Sequence, residues 1–205
     1  MESAAKAVLA EYDARMASER ALMESLSDEE FGRRLDEFLL PVGPDTGQFL
    51  ATLVKAAAAK TVLEIGTSYG YSTLWLADGA QAVGGTVHTL ELSQAKSDYA
   101  RQHIGRAGLG GAVKFHVGDA RELIAGLNDP IDLVLLDLWK DLYIPCFDLV
   151  YPKLSKGAFV VADNMLLPES SQTEAAAYRE HVRTKAGITS VLLPIGSGVE
   201  VTRFD

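Results

Sequence analysis

The 205-residue sequence has one cysteine, Cys146. No disulfide can therefore close within the chain, which fits a reducing compartment, and Cys146 reads as an apolar core filler. No apolar run approaches the roughly 20 residues of a membrane span. The opening MESAAKAVLAEYDARMASER is charged throughout and lacks a signal peptide's apolar centre, so a soluble, cytoplasmic protein is expected. Positive charge is short: 19 Lys and Arg stand against 28 Asp and Glu, a net charge of -9. That balance opposes a sequence-independent grip on phosphate backbones, and a small molecule is expected as partner in preference to nucleic acid. Repeats, low-complexity tracts and linkers are lacking too. One domain is expected over 1–205, with a helical extension at 1–40 and the core at 41–205. The G-x-G-x-x-G fingerprint is missing, which counts against a nicotinamide-dependent oxidoreductase.

What is present is an ordinary globular composition, 48% hydrophobic and 23% charged, with a clear rhythm. Helices are expected over 2–18 and 28–40, the second opened by a capping box of Ser27 and Glu30. A third follows LPVGPDTG, from Thr46 to Ala59. From Lys60 strands and helices alternate. TVLEIG (61–66), TVHTLEL (86–92), VKFHVGD (113–119), IDLVLLD (131–137) and AFVVADN (158–164) read as strands. Helices are expected between them, the one after Asp137 running to about Leu154, and over TEAAAYREHVRTKAG. TSVLLPI and VEVTRF, separated by GSG, read as a closing hairpin. The expected fold is α/β: a doubly wound, mostly parallel seven-stranded sheet with an antiparallel C-terminal hairpin and N-terminal helices.

In such a sheet ligands bind outside the carboxyl ends of the strands. The first strand ends in EIGTSYGYS, with Glu64, Gly66, Gly70 and Ser72; glycine there lets a ligand approach the backbone, though tight turns use glycine without any ligand. The second ends at Glu91, placed to accept hydrogen bonds from ribose hydroxyls or to cap the next helix. Gly118, Asp119 and Ala120 end the third, where they can meet an adenine edge, while Asp119 also suits a plain N-cap. Asp137 ends the fourth strand, and Asp163 and Asn164 end the fifth. If those two strands are neighbours, their tips lie about 5 Å apart, and two carboxylates and an amide oxygen converge. Repelling carboxylates want a cation, and all-oxygen donors select a hard one such as Mg2+. Lys140, three residues beyond Asp137, reaches the same space and suits a general base. Salt bridging of Lys140 to Asp137 or Asp141, and a turn at Asp163–Asn164, are the plain alternatives.

Together DLWKDLYIP, VVADNMLLP, VLEIGTSYGYS and LPVGPDTGQ resemble the cation-dependent O-methyltransferase family, most of all its catechol-methylating members, from Phe38 to Phe204. The resemblance implies a Rossmann-like fold of the class that uses S-adenosyl-L-methionine. It implies that Val42, Glu64, Gly66, Ser72, Glu91, Ala120 and Asp137 touch that cofactor, that Asp137, Asp163 and Asn164 hold Mg2+ or another divalent cation, and that Lys140 is the base. Phe38, Trp139 and Pro168 would wall a flat aromatic substrate, with Lys140 and Asn164 beside it. Glu200, in SGVEV, would face a second substrate hydroxyl; an exposed acid on an edge strand is the alternative. Leu138 and Leu40 depart from the family, standing where catechol enzymes have histidine and methionine.

Other members of the family methylate hydroxycinnamoyl thioesters or a hydroxylated uridine in transfer RNA, and a non-catalytic scaffold on the same fold is the remaining alternative. Related enzymes are often dimers, and the N-terminal helices suit either a homodimer interface or a lid over the substrate. Spacing gives the four histidines no metal-ligand pair, and His88, His103, His116 and His181 are read as structural or solvated.

Overall fold

In the computed structural model, which describes residues 1–205 apart from the side chain of Asp28, seven strands form one sheet. They are β1 Thr61–Ile65, β2 Thr86–Glu91, β3 Val113–Val117, β4 Ile131–Leu136, β5 Leu154–Ala162, β6 Ile188–Leu193 and β7 Val199–Phe204, in the order β3-β2-β1-β4-β5-β7-β6. The first five are parallel; β7 runs antiparallel between β5 and β6. The helices are α1 Ser3–Ser25, α2 Asp28–Arg34, α3 Pro44–Ala56, α4 Tyr71–Val83, α5 Gln94–Arg106, α6 Ala120–Gly126, α7 Tyr143–Val150 and α8 Gln172–Arg183.

Strand alternation sorts the core into two layers. Leu133 and Leu135 of β4, with Val62 and Val87, pack on one face with Leu50, Leu74 and Ile104 from the helices there. Val134 and Leu136, with Leu63 and Val160, pack on the other with Phe147 and Tyr178. Strand order reverses at β1, whose neighbours are β2 and β4, so the crevice expected of a doubly wound sheet opens at the carboxyl ends of β1 and β4.

Several element ends differ from expectation. α1 continues past residue 18 to Ser25, although its buried residues, Ala5, Val8 and Tyr12, all lie in its first half. The capping box of Ser27 and Glu30 is present, but α2 stops at Arg34 and only one 3-10 turn, Leu35–Glu37, follows. Tertiary partners replace helical ones there: Arg15 donates to the Glu37 carbonyl, and the Leu39 N–H donates to Glu19. α3 begins two residues early because Pro44 starts it. Pro152 ends the helical run after α7 in a 3-10 turn, and β5 starts at Leu154, not 158, with Gly157 at φ 84. β7 is an interior strand, so Glu200 is not the exposed edge acid of the alternative reading; it is fully buried.

Candidate active site

The strand ends are zipped one step beyond the sheet. Gly66 N–H donates to the Leu90 carbonyl, Asp137 N–H to Ile65 and Asp163 N–H to Leu136, each at 3.0 Å. These bonds fix the residues that leave β1, β4 and β5 side by side. Gly66, at φ 107, crosses so close to β4 that a Cβ would stand 1.9 Å from the Asp137 carbonyl oxygen. Gly70, at φ 93, has Ala100 and the Tyr12 hydroxyl where its side chain would be. Packing alone therefore explains both glycines.

On the β1–β2 side every acid is already engaged. Glu64 is fully buried and accepts from the hydroxyls of Ser72, Thr73 and Thr89 at 2.5–2.6 Å. Burial pushes its carboxyl up to about 7 against those three bonds. Glu64 and Ser72 thus tie β1, β2 and α4 together. Glu91 accepts from the backbone N–H groups of Ser68 and Ser93, both at 2.8 Å, so it is held upright at the end of β2. Asp119 is the N-cap of α6 and also pairs with the Arg121 guanidinium. That arginine pulls its carboxyl down to about 2, so the plain N-cap reading describes its side chain. Ala120, half-buried, opens α6, and Val42 is buried just before α3.

The β4–β5 side is different. Asp163 is 1% exposed, and its Oδ1 has no hydrogen-bond partner among the described residues. Asp137 stands at the neighbouring strand end, and Asn164 follows at φ 55, a left-handed conformation that only a few non-glycine residues adopt. Loss of hydration pushes both carboxyls up, and the charge of Asp137 raises Asp163 further. Lys140 Nζ donates to the Asp163 carbonyl at 3.2 Å and to Asn164 Oδ1 at 3.5 Å. Desolvation brings its ammonium down to about 8, opposed by both aspartates. Among the described residues no three His, Cys, Asp or Glu side chains cluster as metal ligands; the third oxygen here belongs to an amide. Two underhydrated carboxyls, one with an unpartnered oxygen, plus that amide fit a hard divalent cation.

The walls divide. Trp139 is 59% exposed, and Leu166, Leu167 and Pro168 are exposed just beyond the end of β5; Leu40 is exposed as well. Phe38 is buried instead, stacked on Phe31 at 5.8 Å, so it presents no open wall. Glu200 does not join this group. Paired with Ala162 on the α8 face, it accepts from Arg183 and Ser190 at 2.7 Å, and its expected place against a substrate hydroxyl is not what its side chain occupies.

Two features escaped the sequence reading. Tyr143 lies under Lys140, and only its i+3 spacing from that lysine could have flagged it. His88 and His116, on adjacent strands, bring Nδ1 and Nε2 within 3.2 Å with nearly parallel rings; spacing along the chain could not reveal a pair made by strand register.

Comparison with known proteins places the chain among relatives of known fold. The family described as O-methyltransferase matches residues 13–203. A catechol O-methyltransferase of Mycobacterium tuberculosis is 36% identical over 146 residues, 68% of this chain and 66% of that protein. A catechol O-methyltransferase of Niastella koreensis is 34% identical over 62% of this chain and 59% of its own length. The chain thus spans less than two thirds of these curated relatives. Among solved structures, cofactor-bound Rv0187 from MTB superposes with a TM-score of 0.78 at 26% identity, covering 100% of this chain and 90% of that one. The O-methyltransferase from Bacillus cereus in complex with SAH shares the fold, with a TM-score of 0.75 at 24% identity over 95% of this chain and 100% of that one. The chain belongs to the O-methyltransferase family.

Proposed function

We propose that the protein is a divalent-metal-dependent O-methyltransferase that uses S-adenosyl-L-methionine to methylate one of two vicinal hydroxyls on a small, catechol-like aromatic. The observation that carries this reading is the β4–β5 rim: Asp137, Asp163 with its unpartnered Oδ1, and Asn164, next to a lysine whose ammonium is destabilised. Asp137, Asp163 and Asn164 would hold the cation, whose chemistry when bound is to favour ionisation of a coordinated hydroxyl. S-adenosyl-L-methionine supplies the methyl group. Glu91 offers its remaining lone pairs at the end of β2, where the ribose of a nucleoside sits in sheets of this type. Val42, Gly66 and Ala120 contribute through their main chain, while Glu64, Ser72 and Gly70 keep the turn in shape. Lys140 would take the proton of the hydroxyl that reacts, freeing that oxygen to accept the methyl group, with S-adenosyl-L-homocysteine as the leaving group. Trp139 and Pro168 flank the ring. The net charge of -9 favours this small substrate over transfer RNA.

The test is methyl transfer from labelled S-adenosyl-L-methionine to a panel of catechols with Mg2+ and then with EDTA. Turnover abolished by EDTA is expected. Turnover that survives EDTA would sink the metal, and cofactor binding without any turnover would move the substrate to hydroxycinnamoyl thioesters.

A further inference from the structure

We propose that Tyr143 is a positioning residue for Lys140: its buried hydroxyl fixes where the lysine nitrogen stands along the Asp163–Asn164 edge. The proposal rests on the reading of Lys140 as base. Tyr143 opens α7 three residues after Lys140, which puts its ring one turn away on the same side. The side chain is fully buried, and the ring of Tyr178 braces it edge-on at 5.5 Å. The hydroxyl accepts a hydrogen bond from Lys140 Nζ and donates one to the Asp163 carbonyl at 3.2 Å. The ring face lies beneath Nζ, 3.9 Å from nitrogen to centroid, within cation–π range.

Without that hydroxyl, the hydrogen bonds left to Lys140 are the 3.2 Å contact to the Asp163 carbonyl and the 3.5 Å contact to Asn164. A lysine stem has four rotatable carbons and much rotamer freedom to lose. Tyr143 removes that freedom with one short bond anchored to the same carbonyl. Two of the three ammonium positions are then tied to Tyr143 and Asp163. The third points along the long contact to Asn164, the edge from which a substrate hydroxyl would come.

The experiment compares wild type with Tyr143→Phe, which keeps the ring and removes the hydroxyl. In 15N-labelled wild-type protein without ligands, the Lys140 side-chain ammonium should give a slowly exchanging resonance with cross-peaks to the Tyr143 ring. In Tyr143→Phe that resonance should broaden into the exposed lysines. Turnover should fall about tenfold, the size of one hydrogen bond to a charged group, with substrate KM and cofactor Kd within about twofold. A purely structural role would instead lower the melting temperature and move kcat, KM and Kd together. Wild-type turnover in Tyr143→Phe, or a wild-type Lys140 resonance without Tyr143 cross-peaks, would overturn the proposal. The wild-type spectrum decides even if the variant does not fold. A protein that shows those cross-peaks yet methylates nothing would retain the positioning and lose the base.

Discussion

The two halves of the strand-end rim treat their acids in opposite ways. Around β1 and β2, Glu64 has three hydroxyl donors, Glu91 two backbone N–H donors and Asp119 an arginine. Around β4 and β5, Asp163 keeps an oxygen without a partner among the described residues, and Lys140 is pushed toward losing its proton. Each acid of the first half is engaged within the protein. The second carries a cost that a ligand would remove, since buried polar groups are hydrogen-bonded in nearly all native sites. A finished scaffold stands next to a rim with an unpartnered carboxylate oxygen.

That contrast can be broken by substitution. The largest effect is expected at Lys140: Lys140→Ala should lower turnover by about 10²–10⁴-fold and leave cofactor affinity by calorimetry unchanged. Equal losses in both would reassign Lys140 to the scaffold. Next is Glu64→Ala, which strands three buried hydroxyls and opens a cavity. It should cost about 3 kcal/mol or more in denaturant unfolding; a loss below about 1 kcal/mol would mean that Glu64 is not a strut.

Asp163→Asn should do the reverse in metal-free protein, raising stability by about 1 kcal/mol at pH 8 because an unpaired buried charge is removed. The sign follows from a carboxyl raised in the folded state: its contribution is present below 3.8 and is lost as pH rises toward the folded value. Thermal unfolding in EDTA across pH should therefore fall less steeply for the variant than for wild type. Equal slopes would contradict an unsatisfied Asp163.

The smallest effect concerns the histidine pair. Burial lowers both His88 and His116, so the unfolded chain binds more protons, and stability should decline as pH falls below 6.5. The decline should be shallower in His116→Gln, followed by the same unfolding scans; a wild-type curve flat between pH 7 and 5 would remove the pair from consideration.

Much of this was legible along the chain. Strands announced themselves through continuous apolar runs, and the acids at their tips could be assigned to one rim because parallel strands end together. Helix ends were less legible wherever a distant residue supplied the hydrogen bond, as Arg15 and Glu19 do beyond α2. Glu200 misled because a short motif match says nothing about which face of a strand a side chain takes; its register opposite Ala162 turns it toward α8. Tyr143 went unremarked because a tyrosine in an apolar helix normally reads as core, which it also is.

Gly66 and the exposed rim have an evolutionary consequence. A methyl group at position 66 would collide with a main-chain oxygen, so packing alone freezes that position. Trp139, Leu40 and Leu167 are exposed, and exposed positions of that kind tolerate exchange at little cost to folding. Under the proposed function, inheritance of the methyl donor and diversification of the acceptor can thus proceed at separate tempos within one lineage, and a mutant library aimed at new acceptors can leave the glycine turn untouched.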